Sequence, residues 1–116
     1  MVCVFQEIDG HPVGVGLGER LCPGEFGGDV RIDKSGNVWM ADIFENRIIE
    51  FARGTGFSNG QGAALVLGQT DFSSHACNVT QSGLCFPGGL LFDTKGRLFE
   101  AEEASCRVLE YKPKKK

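Results

Sequence analysis

Two carboxylate–guanidinium pairs recur in this chain at one spacing. Asp42 and Arg47 are five residues apart, and Glu102 and Arg107 repeat that interval. Such a pair across a tight turn can form a polar site on a rim, or it can fasten the turn through the planar arginine fork. Recurrence favours the fastener, because a pair that serves each unit is what a stacked repeat requires. A second candidate is the acidic group Glu100, Glu102 and Glu103. Hard cations need several oxygens converging from different segments. Period-two geometry instead puts Glu100 and Glu102 on one strand face and Glu103 at the turn, so the group reads as a solvated acidic edge.

The histidines are His11 and His75. Neither has a second His or Cys at zinc spacing on a common element, and His75 with Cys77 gives only H-x-C. Ser73, Ser74 and His75 form a loop tripeptide without a nucleophile, base and orienter that can be assembled around it. No catalytic residue, metal ligand or cofactor site is assigned. Five cysteines are many for a chain of 116 residues. Cys77 and Cys85 bound the loop CNVTQSGLC, close enough for a loop-closing disulfide, and the redox compartment decides whether it forms. Cys3, Cys22 and Cys106 read as small buried hydrophobes. Asn78-Val79-Thr80 is a glycosylation sequon, a short match that matters only in a chain secreted by a eukaryote.

Composition bounds the rest. A 116-residue chain with 41% apolar content is one small globular domain with a modest core. A net charge of -3 and a pI near 5.3 leave no electrostatic footprint for nucleic acid. Trp39, Phe44, Phe51, Phe99 and Tyr111 could stack bases, but the basic residues cluster only at Lys112 to Lys116, which reads as a solvated tail. No run of eighteen apolar residues spans a membrane. The start, MVCVFQEIDGHPVG, lacks the basic and apolar regions of a signal peptide. The chain is then either cytosolic or an internal piece of a longer, secreted parent, and the compartment stays open.

The elements that must position the pairs are short strands. Val2 to Phe5 is a short apolar run, Gly10 to Gly18 a loop, and Cys22-Pro23-Gly24 a turn. Gly28 to Asp33 alternates as a half-buried strand should. Asn37 to Asp42, Arg47 to Ala52 and Ala63 to Gly68 follow, with a glycine-rich loop from Arg53 to Gly62. In the second of these strands Val38 and Met40 take one face and Trp39 and Ala41 the other. After a loop from Gln69 to Phe86 come Gly88 to Asp93, Arg97 to Glu102 and Cys106 to Lys112, with no counterpart of the fourth strand. The two sets match without a gap. Gly36, Ala41, Arg47 and Phe51 stand sixty positions before Gly96, Ala101, Arg107 and Tyr111. A repeated antiparallel meander without helices predicts an all-β array of the β-propeller kind.

DVRIDKSGNVWMADIFENRIIEF, a glycine-rich loop and ALVLGQTDF together resemble the NHL repeat. Asp33, Gly36, Ala41-Asp42, Asn46-Arg47 and Phe51 carry the resemblance, which covers residues 27 to 111. It implies antiparallel four-stranded propeller blades: residues 1–26 as a strand of a preceding blade, 27–86 as one blade with its linker, and 87–116 as a partial blade with a basic tail. Two blades make an incomplete ring. The implied function is a non-catalytic binding or scaffold unit, a piece of a larger propeller, whose partner is a protein or small ligand, further blades, or another copy met through strand edges. The alternatives are self-assembly, in which Val2 to Phe5 completes a neighbour's last blade, and a fragment of a propeller lyase or hydrolase. In the second copy Glu100 stands where Met40 stands, Glu102 replaces Asp42 and Cys106 replaces Asn46. A buried carboxylate without a partner is costly, so Glu100 is expected near an open, solvated edge.

Overall fold

A computed structural model describes Val4–Phe5 and residues 28–113. Nine strands follow in chain order: β1 (Val4–Phe5), β2 (Val30–Ile32), β3 (Val38–Asp42), β4 (Arg47–Phe51), β5 (Gln61–Gly62), β6 (Leu65–Leu67), β7 (Pro87–Phe92), β8 (Leu98–Glu102) and β9 (Arg107–Tyr111). They form a four-stranded antiparallel sheet, β2-β3-β4-β6, a three-stranded one, β7-β8-β9, and a two-stranded pair, β1-β5. A 3-10 turn, Ile43–Glu45, joins β3 to β4, and no α-helix occurs among the described residues. The chain is all-β, and among the described residues the second sheet has no fourth strand.

Local chemistry fixes the hairpins. The Asp33 carboxylate accepts from the main-chain N–H of Ser35 and Asn37, both at 2.9 Å, and from the Trp39 indole at 2.9 Å. Gly36, at φ 87°, closes that turn in the left-handed region. Asp93 and Gly96, at φ 81°, do the same for β7 and β8, with Lys95 and Arg97 as donors. At the other hairpin Asn46 and Cys106 occupy the same backbone conformation, at φ 53° and 52°. The sixty-residue repeat is thus present in dihedral angles as well as in residue types.

The core lies on both faces of the first sheet. Val38, Met40, Ile49 and Phe51 pack with Phe57, Ala63 and Val66 on one face. Trp39, Ala41 and Ile48 on the other meet Leu90, Leu98, Phe92, Leu109 and Tyr111 of the second sheet, with Leu84 between them. This sheet-on-sheet seam joins the two repeats. Gly28 permits the approach, since a Cβ there would lie 2.8 Å from the Ala41 Cβ and 2.9 Å from the Gly88 carbonyl oxygen.

Three expectations are corrected. β2 is not half-buried: Val30 and Ile32 are exposed, because β2 is a three-residue edge strand whose apolar side chains no described element covers. The strand expected at Val2 to Phe5 is Val4–Phe5, and it pairs with Gln61–Gly62 of its own chain. Cys106 is exposed at a turn and is no buried hydrophobe. Cys3, Cys22, His11, the turn at Cys22-Pro23-Gly24 and the end of the tail lie outside the described residues.

Candidate functional site

The two charged pairs sit at equivalent hairpins. Arg47 Nε donates to Asp42 Oδ2 at 3.0 Å, and both side chains are almost fully buried. Arg107 Nε donates to Glu102 Oε1, with Glu102 buried and Arg107 partly exposed. Each guanidinium also reaches beyond its own turn. Arg47 Nη1 donates to the Phe72 carbonyl at 2.7 Å. Arg107 donates to the Thr80 and Gly83 carbonyls at 2.8 and 2.9 Å. The loop between the sheets, residues 69–86, is therefore held at one end by Arg47 and at the other by Arg107.

More groups fix that loop. Asn46 Nδ2 donates to the His75 carbonyl, and Asn46 Oδ1 accepts from Phe86 N–H, each at 2.9 Å. Gln69 Nε2 bridges the Asn46 and Ala76 carbonyls at 2.8 Å. The Cys85 N–H donates to Glu102 Oε2. Cys77 and Cys85 stand at disulfide distance, with sulfurs 2.04 Å apart. His75 is thus engaged through its carbonyl, and Ser73 and Ser74 donate to Asp71 Oδ1, which lowers the Asp71 pKa, the Ser74 hydroxyl contributing most.

Electrostatics separate the pairs. Burial pushes the Asp42 carboxyl up, against the downward pull of Arg47. Burial also raises Glu102, but hydrogen bonds from Arg107, Cys85 N–H and Ser105 outweigh it and hold that carboxyl low. Glu100 differs from both. It is 0% exposed, and neither carboxylate oxygen has a hydrogen-bond partner. Burial, with the neighbouring Glu102 charge adding and Arg107 opposing, raises its pKa to about 7. The solvated acidic edge is accordingly overturned: Glu100 and Glu102 are buried, and of the three only Glu103 is exposed. Glu100 lies on the central strand of its sheet, opposite Leu90 and Leu109, on the face that packs against the first sheet. The Tyr111 hydroxyl on that face is also buried and unpartnered, and burial raises its pKa to about 12. Among the described residues no cluster of three His, Cys, Asp or Glu is arranged to hold a metal ion, and no helix is long and apolar enough to cross a membrane.

The far face of the second sheet is open. Leu91 is 60% and Val108 65% exposed. A cleft of about 220 Å³ beside it is lined by Asp29, Gly89, Leu90, Leu91, Phe99, Glu100, Ala101 and Val108. The Arg97 guanidinium lies over the Phe99 ring, 5.8 Å from its centroid, and pairs with Glu110 at 3.3 Å. The same positions of the first sheet, Trp39, Ala41 and Ile48, are the ones covered at the seam. Those two surfaces differ at one more point. Asp29 accepts from Leu90 N–H at 3.0 Å, and Arg31 Nε donates to the Leu90 carbonyl at 2.8 Å, so the first sheet clasps the second along its edge. Sixty residues on, Gly89 and Leu91 replace Asp29 and Arg31, and the clasp is gone.

A scan of the chain against protein-family models finds no match, and a search of curated proteins finds none either.

Proposed function

We propose that this chain is a non-catalytic binding or scaffold unit: two NHL-like blades, the second of which offers its outer face to a partner. Supporting this reading are the residue pattern from 27 to 111, the sixty-residue repeat and the manner in which one sheet already packs on the next. One observation carries it. The Trp39–Ala41–Ile48 surface is covered by a sheet, whereas the matching Phe99–Ala101–Val108 surface exposes Leu91 and Val108. An open apolar sheet face of this kind is an interaction surface. Its occupant is a further blade-like sheet or another protein held by apolar contact, because Gly89 and Leu91 lack the polar clasp of Asp29 and Arg31. Val4–Phe5 is already paired within the chain, which disfavours its donation to a neighbour. Light scattering over a concentration series tests the reading. Association that Val108→Glu abolishes supports it, and a monomer at every concentration overturns self-association through this face.

A further inference from the structure

Glu100 is a buried acid that the fold does not satisfy. Its position in the first repeat is held by Met40, which packs against Ile49 and Phe51 as an apolar residue does. Replacing a thioether by a carboxyl at a 0% exposed site brings two oxygens into a space shaped for hydrocarbon. A buried carboxyl has three outcomes: a partner, a proton, or an escape to water. Glu100 Oε1 and Oε2 have no partner. Arg107, the cation that acts on Glu100 through its charge, is committed to Glu102 and to the Thr80 and Gly83 carbonyls. Proton and escape remain.

We propose that Glu100 is a proton-operated latch on the seam between the two sheets. Protonated, it stays buried and the second sheet is seated on the first. Ionised, it leaves the seam and the second sheet loosens.

Glu50, opposite Trp39 on the seam face, is a second carboxyl that burial, with the Asp33 charge adding, pushes up, and the Glu100→Gln variant separates its titration from that of Glu100. On the strand of Glu100 itself the ionisable neighbour is Glu102, paired with Arg107. From β9 come Arg107 itself and Tyr111, whose hydroxyl ionises only near pH 12. From β7 the face presents Leu90 and Phe92, neither of which titrates. Across the seam β3 and β4 present Trp39, Ala41 and Ile48, with Glu50 beside Trp39 at the margin and Asp29 and Arg31 on the edge, bonded to Leu90. Of these groups only the Arg107 charge favours ionised Glu100, and burial together with the repelling Glu102 charge outweighs it. The pKa of about 7 fits a switch that works near neutrality. Its sign is definite. The folded chain keeps a proton that the unfolded chain releases at the ordinary glutamate pKa, so stability is full below that value and is lost as the pH rises to and through about 7.

The seam carries its own reporter. Trp39 is the single tryptophan, and its ring meets Phe92 of the second sheet edge-on, with centroids 5.6 Å apart. Trp39 emission of the full chain is titrated from pH 5 to 9, with thermal unfolding followed in parallel. The wild type should show a red shift with a midpoint near 7 and a melting temperature that falls as the pH rises toward 7 and levels off above it. Glu100→Gln, which cannot ionise, and Glu100→Met, which restores the residue of the first repeat, should both be flat. The two variants should also melt above the wild type at pH 8. An emission midpoint that persists in Glu100→Gln assigns the switch to another group and overturns the proposal. A wild-type emission that does not change between pH 5 and 9 overturns it without any variant.

Discussion

In the first sheet the Asp42–Arg47 pair is sealed, with side chains 3% and 1% exposed; in the second, Glu102 is as deeply placed but Arg107 is 23% exposed. The central strands of the two sheets differ in the same sense, although the edge strand β2 of the first is the more exposed counterpart of β7. The first is sandwiched, with apolar clusters on both faces. The second is covered on one face and bare on the other. One hairpin design therefore serves in two environments, and the depth of burial sets what each copy of a residue contributes. A guanidinium sealed beside its carboxylate is structural, since removing it strands a charge. A guanidinium that solvent reaches has water as a substitute. The carboxyls register the contrast, Asp42 being pushed up and Glu102 held low.

Removing the guanidiniums one at a time should break the symmetry most strongly. Arg47→Ala leaves Asp42 buried without its guanidinium and frees the Phe72 carbonyl, and chemical denaturation should show a loss of about 3–5 kcal/mol. Arg107→Ala should cost clearly less, because solvent replaces part of what is lost. Equal losses in the two variants would mean that burial depth does not distinguish the sheets.

Next in size is the cross-link. Cys77 and Cys85 close a loop with a sequence separation of 8, and loop-closure entropy for such a ring is about 2–3 kcal/mol. Cys77→Ser with Cys85→Ser should lower stability by that amount. Amide exchange should rise first around Thr80, Gly83 and Cys85, where Arg107 and Glu102 hold the loop. The Phe72 to Ala76 end, held by Arg47, Asn46 and Gln69, should change less. Uniform loosening of the whole loop would show that the two ends are not independently fastened.

Smaller effects are expected at the Asp–Gly turns. Partial burial raises the Asp33 carboxyl, but hydrogen bonds from Trp39, Asn37 and Ser35 outweigh it and hold the pKa low. Asp93 is also held low, its slight burial outweighed by Arg97 and the Lys95 N–H. Both turns thus add stability above the ordinary aspartate pKa and lose it as the pH falls below that value. This is opposite in sign to Glu100, so the chain should be most stable in mild acid. Asp33→Asn should cost about 1–2 kcal/mol and shift Trp39 emission, since Trp39 Nε1 donates to Asp33. Asp93→Asn should leave that emission unchanged.

The strands of the two repeats were legible because they are local: alternation, Asp-x-x-Gly turns and a gapless sixty-residue match point to them, whereas Gln61–Gly62, read as part of a loop, is a strand only through its pairing with Val4–Phe5. The fastening of residues 69–86 was not, since Phe72, Thr80 and Gly83 enter through main-chain carbonyls that every residue possesses. Glu100 was misread for a related reason. A carboxylate suggests water, and only the cross-strand partners Leu90 and Leu109 reveal that its face meets the first sheet. The missing clasp was within reach, because aligning Asp29 and Arg31 with Gly89 and Leu91 exposes it, but its meaning depends on contacts to Leu90.

The smallest expected effect lies at the left-handed residue of each hairpin. Asn46 and Cys106 share φ near 53° and 52°, a conformation that asparagine tolerates better than most side chains. Cys106 gains little in return, its sulfur lying 3.8 Å from the Glu103 carbonyl oxygen. Cys106→Asn should therefore stabilise the chain by about 0.5–1 kcal/mol through the backbone alone. The reverse exchange, Asn46→Cys, should cost more than that, because it also removes the bonds to His75 and Phe86. The two exchanges are the same chemical change in opposite directions, so any excess of the second over the first measures what the loop contacts contribute. Two effects of equal size would reduce the difference between the sheets at this turn to backbone conformation.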